Sequence, residues 1–145
     1  MPMILPATLA TAAACALINI WLAMRVAQVR RSEKVWVGDG SNLRVIARMR
    51  AQANFIEHAP IVLILLTLIE LAHGTSVWLW ACGTLFAAAR VAHGLGMDTW
   101  KRGRVIGIAL TMLVTLVLAV AAAATVFDAA TRRPGVAIEA LPPAG

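Results

Sequence analysis

Three polar residues just before a long apolar run could form a binding site for a small charged molecule. Arg50, Asn54 and Glu57 occur in the stretch RAQANFIEHAP (50–60), spaced four and three residues apart. At about 100° per residue, this spacing places them on one face of a helix. A guanidinium binds carboxylates, a carboxylate accepts hydrogen bonds from an ammonium group, and an amide forms hydrogen bonds with other amides. Together these groups favour a small zwitterionic peptide as the ligand.

A second polar stripe occurs in the stretch LFAAARVAHGLG (85–96), where Arg90 is followed by His93. Glu57 is costly to place inside a membrane without a partner, and Arg90 is predicted at a similar depth. We therefore predict a Glu57–Arg90 pair. The pair could simply hold two helices together. The number of different polar groups favours instead a polar pocket that opens to the cytoplasm.

The elements that carry these residues are predicted to be membrane helices. The chain has 145 residues, of which 61% are hydrophobic and 14% charged, whereas soluble domains are about half apolar and a quarter charged. A helix needs about 20 apolar residues to cross a bilayer. Four segments qualify: Ile4 to about Met24, Phe55 to Ala72, Val77 to Gly96 and Val105 to Phe127.

These segments predict an all-α integral membrane protein, a four-transmembrane-helix bundle that forms one domain over residues 1–128. The second helix is predicted to begin near Asn42, which can cap it, and to end at His73. Its length then carries its first turns beyond the membrane. The tail, residues 129–145, is rich in Pro, Ala and Gly and is predicted to be disordered.

The distribution of charge predicts the orientation in the membrane. The net charge is +6, and the basic residues cluster in the first and third loops, whereas the second loop, HGTS (73–76), has no Lys or Arg. By the positive-inside rule, the first and third loops face the cytoplasm and both termini face the other side. This pattern is typical of membrane topology rather than of a nucleic-acid partner. Cys15 and Cys82 have no metal-ligand spacing, so no metal is expected.

The stretch RAQANFIEHAP resembles the signature of the MAPEG family, the membrane-associated proteins in eicosanoid and glutathione metabolism. The likeness covers about residues 5–127, and the VGDG turn (37–40) and LFAAARVAHGLG are similar to the small bacterial branch of the family. The resemblance implies a homotrimer in the bacterial inner (plasma) membrane. It also implies glutathione as co-substrate, bound between subunits on the cytoplasmic side, and membrane lipid and a lipophilic small-molecule substrate as partners.

The resemblance also implies roles for individual residues. Arg104, at the start of the fourth helix, matches the arginine that activates the glutathione thiol. The glutathione-binding residues are expected to be Arg50, Asn54, Glu57 and His58 from one subunit, Gln52 with Arg30 or Arg31 from its neighbour, and Arg90 and His93 on the third helix.

The chain departs from the family pattern because it contains no tyrosine. His58, His93 and Met97 stand where the family has tyrosines, so any mechanism that needs a phenol is excluded. The predicted function is a glutathione-dependent membrane transferase or peroxidase that acts on lipophilic electrophiles. The alternative is a non-catalytic lipid- or partner-binding protein of the same fold. A third hypothesis is a transporter or channel subunit that uses buried charges such as Glu70.

Overall fold

The computed structural model describes residues 4–98 and 100–131 as four long α-helices joined by short connections. The helices are α1 (Pro6–Ser32), α2 (Leu43–His73), α3 (Val77–Gly96) and α4 (Lys101–Thr131). No strand occurs in the described ranges. The side chain of Asn42 accepts hydrogen bonds from the amides of Arg44 and Val45 and caps α2, as predicted. The prediction of an all-α fold is therefore confirmed.

Three of the helices, α1, α2 and α4, are long and apolar enough to cross a membrane. The sequence predicted four such spans, and α3 falls short because it carries Arg90 and His93. Both side chains are buried inside the bundle. At 20 residues α3 is about 30 Å long, which matches the hydrocarbon thickness. The chain is an integral membrane protein in which α3 keeps its polar groups away from lipid.

The helices pack with α2 and α3 in the middle and α1 and α4 on either side. α1 and α4 both contact α2 and α3, but they do not contact each other in the part that the structure describes. The buried residues of α4 form one narrow stripe of Gly103, Gly107, Thr111, Val114 and Leu118. Large apolar side chains cover its other faces, among them Ile106, Leu113 and Leu116. Most of α4 therefore faces lipid or another protein chain.

At one end of the bundle, an ionic cluster ties three helices together. Asp98, just after α3, pairs with Arg25 of α1 and with Arg48 of α2. Arg25 also donates to the backbone oxygen of Gly94 at 2.8 Å and stacks on the Trp21 ring, 4.7 Å from its centroid. Because α1, α2 and the turn that follows α3 each supply a member, the cluster fixes the spacing of these helices at the end where the polar stripes lie.

At the opposite end, Glu70 of α2 caps the first turn of α1. Its carboxylate accepts the backbone N–H groups of Ala7 at 3.1 Å and Thr8 at 2.8 Å, and the Thr75 hydroxyl at 2.7 Å. A helix N-terminus has unpaired N–H groups and a partial positive charge, which both favour a carboxylate. Glu70 is 2% exposed, and α1 supplies the hydrogen-bond partners that water would otherwise supply.

The predicted domain of residues 1–128 stays a prediction. Residues 129–131, placed in the predicted disordered tail, continue α4 to Thr131. The rest of that tail, 132–145, lies outside the described residues.

Candidate functional site

A hollow of about 310 Å³ lies between α2, α3 and α4 at the end of the bundle where the ionic cluster lies. Its walls bring together five of the predicted site residues: Arg50, Asn54, Glu57, His93 and Arg104. Its size is at the lower end of the range for small-molecule sites. The two stripes predicted from the sequence therefore meet in one place, together with the arginine of α4.

Each wall of the hollow is one face of a helix. On α2, residues 50, 54 and 57 recur at helical spacing, and on α4 Arg104 and Ile108 are four residues apart. The charged side chains Arg50, Glu57 and Arg104 are exposed, whereas Asn54 is half-buried and His93 is buried. The hollow thus presents two guanidinium groups and one carboxylate that a ligand can reach.

Arg90 lies behind the hollow instead of lining it, and it is 1% exposed. Its Nη2 donates to Oδ1 of Asn54 at 2.9 Å, and its Nη1 donates to Oγ1 of Thr111 at 3.3 Å. The guanidinium also lies 5.9 Å from the centroid of the Phe55 ring. A buried cation needs such partners to offset lost hydration. Arg90 therefore joins α3 to the walls formed by α2 and α4.

The predicted Glu57–Arg90 ion pair is absent from the ion pairs of the described residues. Glu57 and Asn54 lie on the same stripe of α2, and the rotation of the helix brings Asn54 onto Arg90. Glu57 is left exposed in the hollow, where it forms no ion pair with Arg90. Its carboxylate remains accessible to a ligand, which a structural pair would have prevented.

The position of Arg104 depends on the close contact between α3 and α4. An added Cβ on Gly107 would lie 2.7 Å from the backbone N of His93, so only glycine permits this approach. The Nδ1 atom of His93 lies 3.4 Å from the backbone oxygen of Arg104. The contact therefore sets His93 and Arg104 side by side at the hollow.

Four predicted site residues, Arg30, Arg31, Gln52 and His58, do not line this hollow. Arg30 donates to the backbone oxygens of Val35 and Trp36, both at 3.5 Å, in the loop after α1. Arg31 is exposed, and Gln52 and His58 are half-buried. Within one chain these four residues do not line the hollow, and their predicted role stays a prediction.

Sequence reasoning missed some of the residues that shape the site. Ala53 and Ile108 line the hollow, and Thr111 holds Arg90. Thr111 follows Gly107 by four residues, and that spacing could have placed it on the same contact stripe. Asp98 is an acidic residue in a basic loop, and this contrast could have indicated the partner of Arg25 and Arg48.

The helices and the hollow define a class of protein: an α-helical membrane protein with a polar site where three helices meet. The family model of the MAPEG family matches residues 8–124, which is most of the chain. The chain therefore belongs to the MAPEG family, and the resemblance seen in the sequence is confirmed. No curated protein that was compared with the chain matches it.

Proposed function

We propose that the hollow binds glutathione and that the protein is a membrane transferase or peroxidase acting on lipophilic electrophiles. The observation that supports this proposal is the set of charges in the hollow. Arg50 and Arg104 supply two cations and Glu57 one anion, whereas glutathione carries two carboxylates and one ammonium group. Arg50 can pair with one carboxylate and Glu57 with the ammonium group, which leaves Arg104 for the sulfur, and membership in the family agrees with this ligand.

In the proposed reaction, Arg104 stabilises the thiolate of glutathione. A thiol like that of cysteine has a pKa of about 8.5, and the thiolate is the nucleophile. A guanidinium held near the sulfur lowers that pKa, because it favours the charged thiolate. A shift of one to two units corresponds to about 1.4–2.7 kcal/mol. The thiol proton is released to solvent before the attack.

Two outcomes of the attack fit this site. With a carbon electrophile, the sulfur forms a new C–S bond and the leaving group departs with the electron pair. With a lipid peroxide, the thiolate takes one oxygen and the alkoxide leaves as the alcohol after protonation. A second glutathione then reduces the sulfenic acid, which yields the disulfide and water.

The proposal includes a homotrimer in the bacterial inner membrane, with the hollow on the cytoplasmic side. The wide apolar surface of α4 leaves room for an assembly, because either lipid or a second chain can cover it. Arg30 or Arg31, together with Gln52, would then reach the hollow of a neighbouring subunit. The lipophilic substrate would enter from the bilayer between α1 and α4 of adjacent subunits, which do not contact each other within one chain.

A second candidate function is the binding of a lipid or a protein partner without catalysis. The observation that favours it is the complete lack of tyrosine, which removes every phenol that could assist a thiol. In this case the hollow would bind its ligand without forming a thiolate.

The test uses protein purified in detergent. Calorimetry measures glutathione binding, and ultraviolet absorbance follows thiolate formation as the pH rises. We expect binding, a thiolate signal near neutral pH, and about tenfold weaker binding in Arg50→Ala, which loses a charge-assisted contact. Arg44→Ala is the matched control, since Arg44 is exposed, lies outside the hollow and pairs with Glu33. No binding by the wild type overturns the proposal, and binding without thiolate or turnover favours the second candidate.

A further inference from the structure

Asn54 and Arg90 form a hydrogen bond whose direction is fixed by chemistry. A guanidinium has only donors, so the atom of the Asn54 side chain that faces Arg90 has to be the amide oxygen. The Nη2–Oδ1 distance is 2.9 Å, and the bond is partly buried. The NH₂ group of Asn54 is therefore the part of the amide left for other partners, and Asn54 lines the hollow.

We propose that Arg90 is a positioning residue that orients the Asn54 amide, so that its NH₂ group donates to a carbonyl or carboxylate oxygen of the bound tripeptide. This inference rests on the proposed function and adds a rule for the ligand. The group opposite Asn54 must be an acceptor, and a donor there would face another donor.

The burial of Arg90 explains why the orientation persists. The two ends of an asparagine amide have nearly the same shape, so an amide in water turns over freely. Turning Asn54 over would place its NH₂ group against a cation that is 1% exposed. Arg90 has few other partners, because its Nε has none among the described residues and its Nη1 reaches only Thr111. A buried charge that loses one of so few partners is strongly disfavoured.

A double-mutant cycle tests whether Arg90 acts through Asn54. We expect Arg90→Met and Asn54→Ala each to raise the Kd for glutathione by about tenfold, the effect of one lost hydrogen bond to a charged or well-placed group. If Arg90 acts by orienting Asn54, the double variant also loses about tenfold, because the amide to be oriented is absent. Losses that multiply to about a hundredfold would overturn the inference.

Arg90→Met could fail to fold, since it removes a cation that joins three helices. Arg90→Lys is therefore carried through the same cycle, because lysine keeps the charge but not the planar fork that holds the amide. We again expect the double variant to bind no more weakly than Asn54→Ala alone, and we expect Arg90→Lys alone to raise the Kd less than Arg90→Met does. An unchanged Kd in Arg90→Lys, or additive losses with Asn54→Ala, would overturn the role of Arg90.

Thr115→Val is the control for general loosening of α4 near Arg90. The Thr115 hydroxyl donates to the backbone oxygen of Thr111 within the same helix, so its loss leaves the contact between Arg90 and Asn54 in place. We expect its Kd to stay close to that of the wild type, even if its unfolding midpoint falls. A loss of affinity equal to that of the Arg90 variants would mean that packing, not amide orientation, sets affinity. A wild type that binds no glutathione removes the proposed function and this inference together, whereas additive losses remove only the inference.

Discussion

Gly107 of α4 lies against the backbone of His93 of α3, with no room for a side chain between them. A Cβ at residue 107 would lie 2.7 Å from the His93 nitrogen and 2.6 Å from the backbone oxygen of Ala89. Backbone atoms cannot turn aside as a flexible side chain can. This contact therefore decides how close α4, with Arg104, comes to the polar face of α3.

Gly107→Ala is expected to destabilise the protein by about 1–3 kcal/mol, the usual cost of overpacking a close contact. It should also lower turnover, because the separation of α3 from α4 moves Arg104 away from His93. Thermal unfolding in detergent and glutathione-dependent turnover are the measurements. Alanine has a higher helix propensity than glycine, which by itself would raise the unfolding midpoint. An unchanged or raised midpoint would therefore show that overpacking does not dominate and would contradict the prediction. Ala109→Val, on an exposed part of the same helix, is the control.

Glu70→Ala is expected to lower the free energy of unfolding by about 1–3 kcal/mol, because two amides at the start of α1 lose their partner. The stability of Glu70→Gln should lie between those of the wild type and Glu70→Ala, since the amide keeps one carbonyl oxygen that accepts a hydrogen bond. Thermal unfolding in detergent measures both. Glu57→Gln is the matched control: it changes an exposed carboxylate of the same helix and should leave the midpoint unchanged. Wild-type stability in Glu70→Ala would show that the cap contributes nothing.

Asp98→Asn is expected to loosen the ionic cluster and to cost about 1–2 kcal/mol, because Arg25 and Arg48 are largely shielded from solvent. Glu33→Gln is the contrast. Its partner Arg44 is 69% exposed, and exposed pairs contribute about 0–1 kcal/mol. Unfolding midpoints of the two variants, measured at low and high salt, test the difference. Equal effects in both variants would refute the claim that shielding makes the Asp98 cluster stronger.

Arg104→Ala is expected to slow turnover by about 8- to 25-fold at pH 7, the loss of thiolate that follows when a thiol pKa held one to two units below about 8.5 returns to that value. Removing the cation raises the thiol pKa of bound glutathione. The turnover rate of Arg104→Ala is therefore lower than that of the wild type at neutral pH, and it approaches the wild-type rate as the pH rises toward the pKa of free thiols. A pH–rate profile measures this shift. Arg102→Ala, an exposed neighbour outside the hollow, should keep the wild-type profile. A profile of Arg104→Ala identical to that of the wild type would remove Arg104 from the mechanism.

Local features of the sequence predicted much of the fold. Asn42 was named as a cap because its side chain suits that position, and α3 was placed at Val77–Gly96, where the structure has it. The stripe of Arg50, Asn54 and Glu57 followed from helical periodicity alone and lines one hollow. Such features depend only on residues within a few turns of one another, so the sequence is sufficient to find them.

The pairing between helices could not be predicted in the same way. Depth in the membrane suggested Glu57 as the partner of Arg90, but depth leaves the rotation of each helix undetermined. The observed partners, Asn54 and Thr111, come from two different helices. The roles of Glu70 and Asp98 were missed for the same reason, because each binds groups more than 40 residues away.

The cap on α1 has a consequence for the way the chain is made. Glu70 comes 62 residues after Thr8, so the ribosome synthesises nearly all of α2 before the first amides of α1 meet their acceptor. Until then those amides have to bond water or lipid headgroups. The hairpin of α1 and α2 is thus the shortest nascent piece in which the amides at the start of α1 have their protein acceptor.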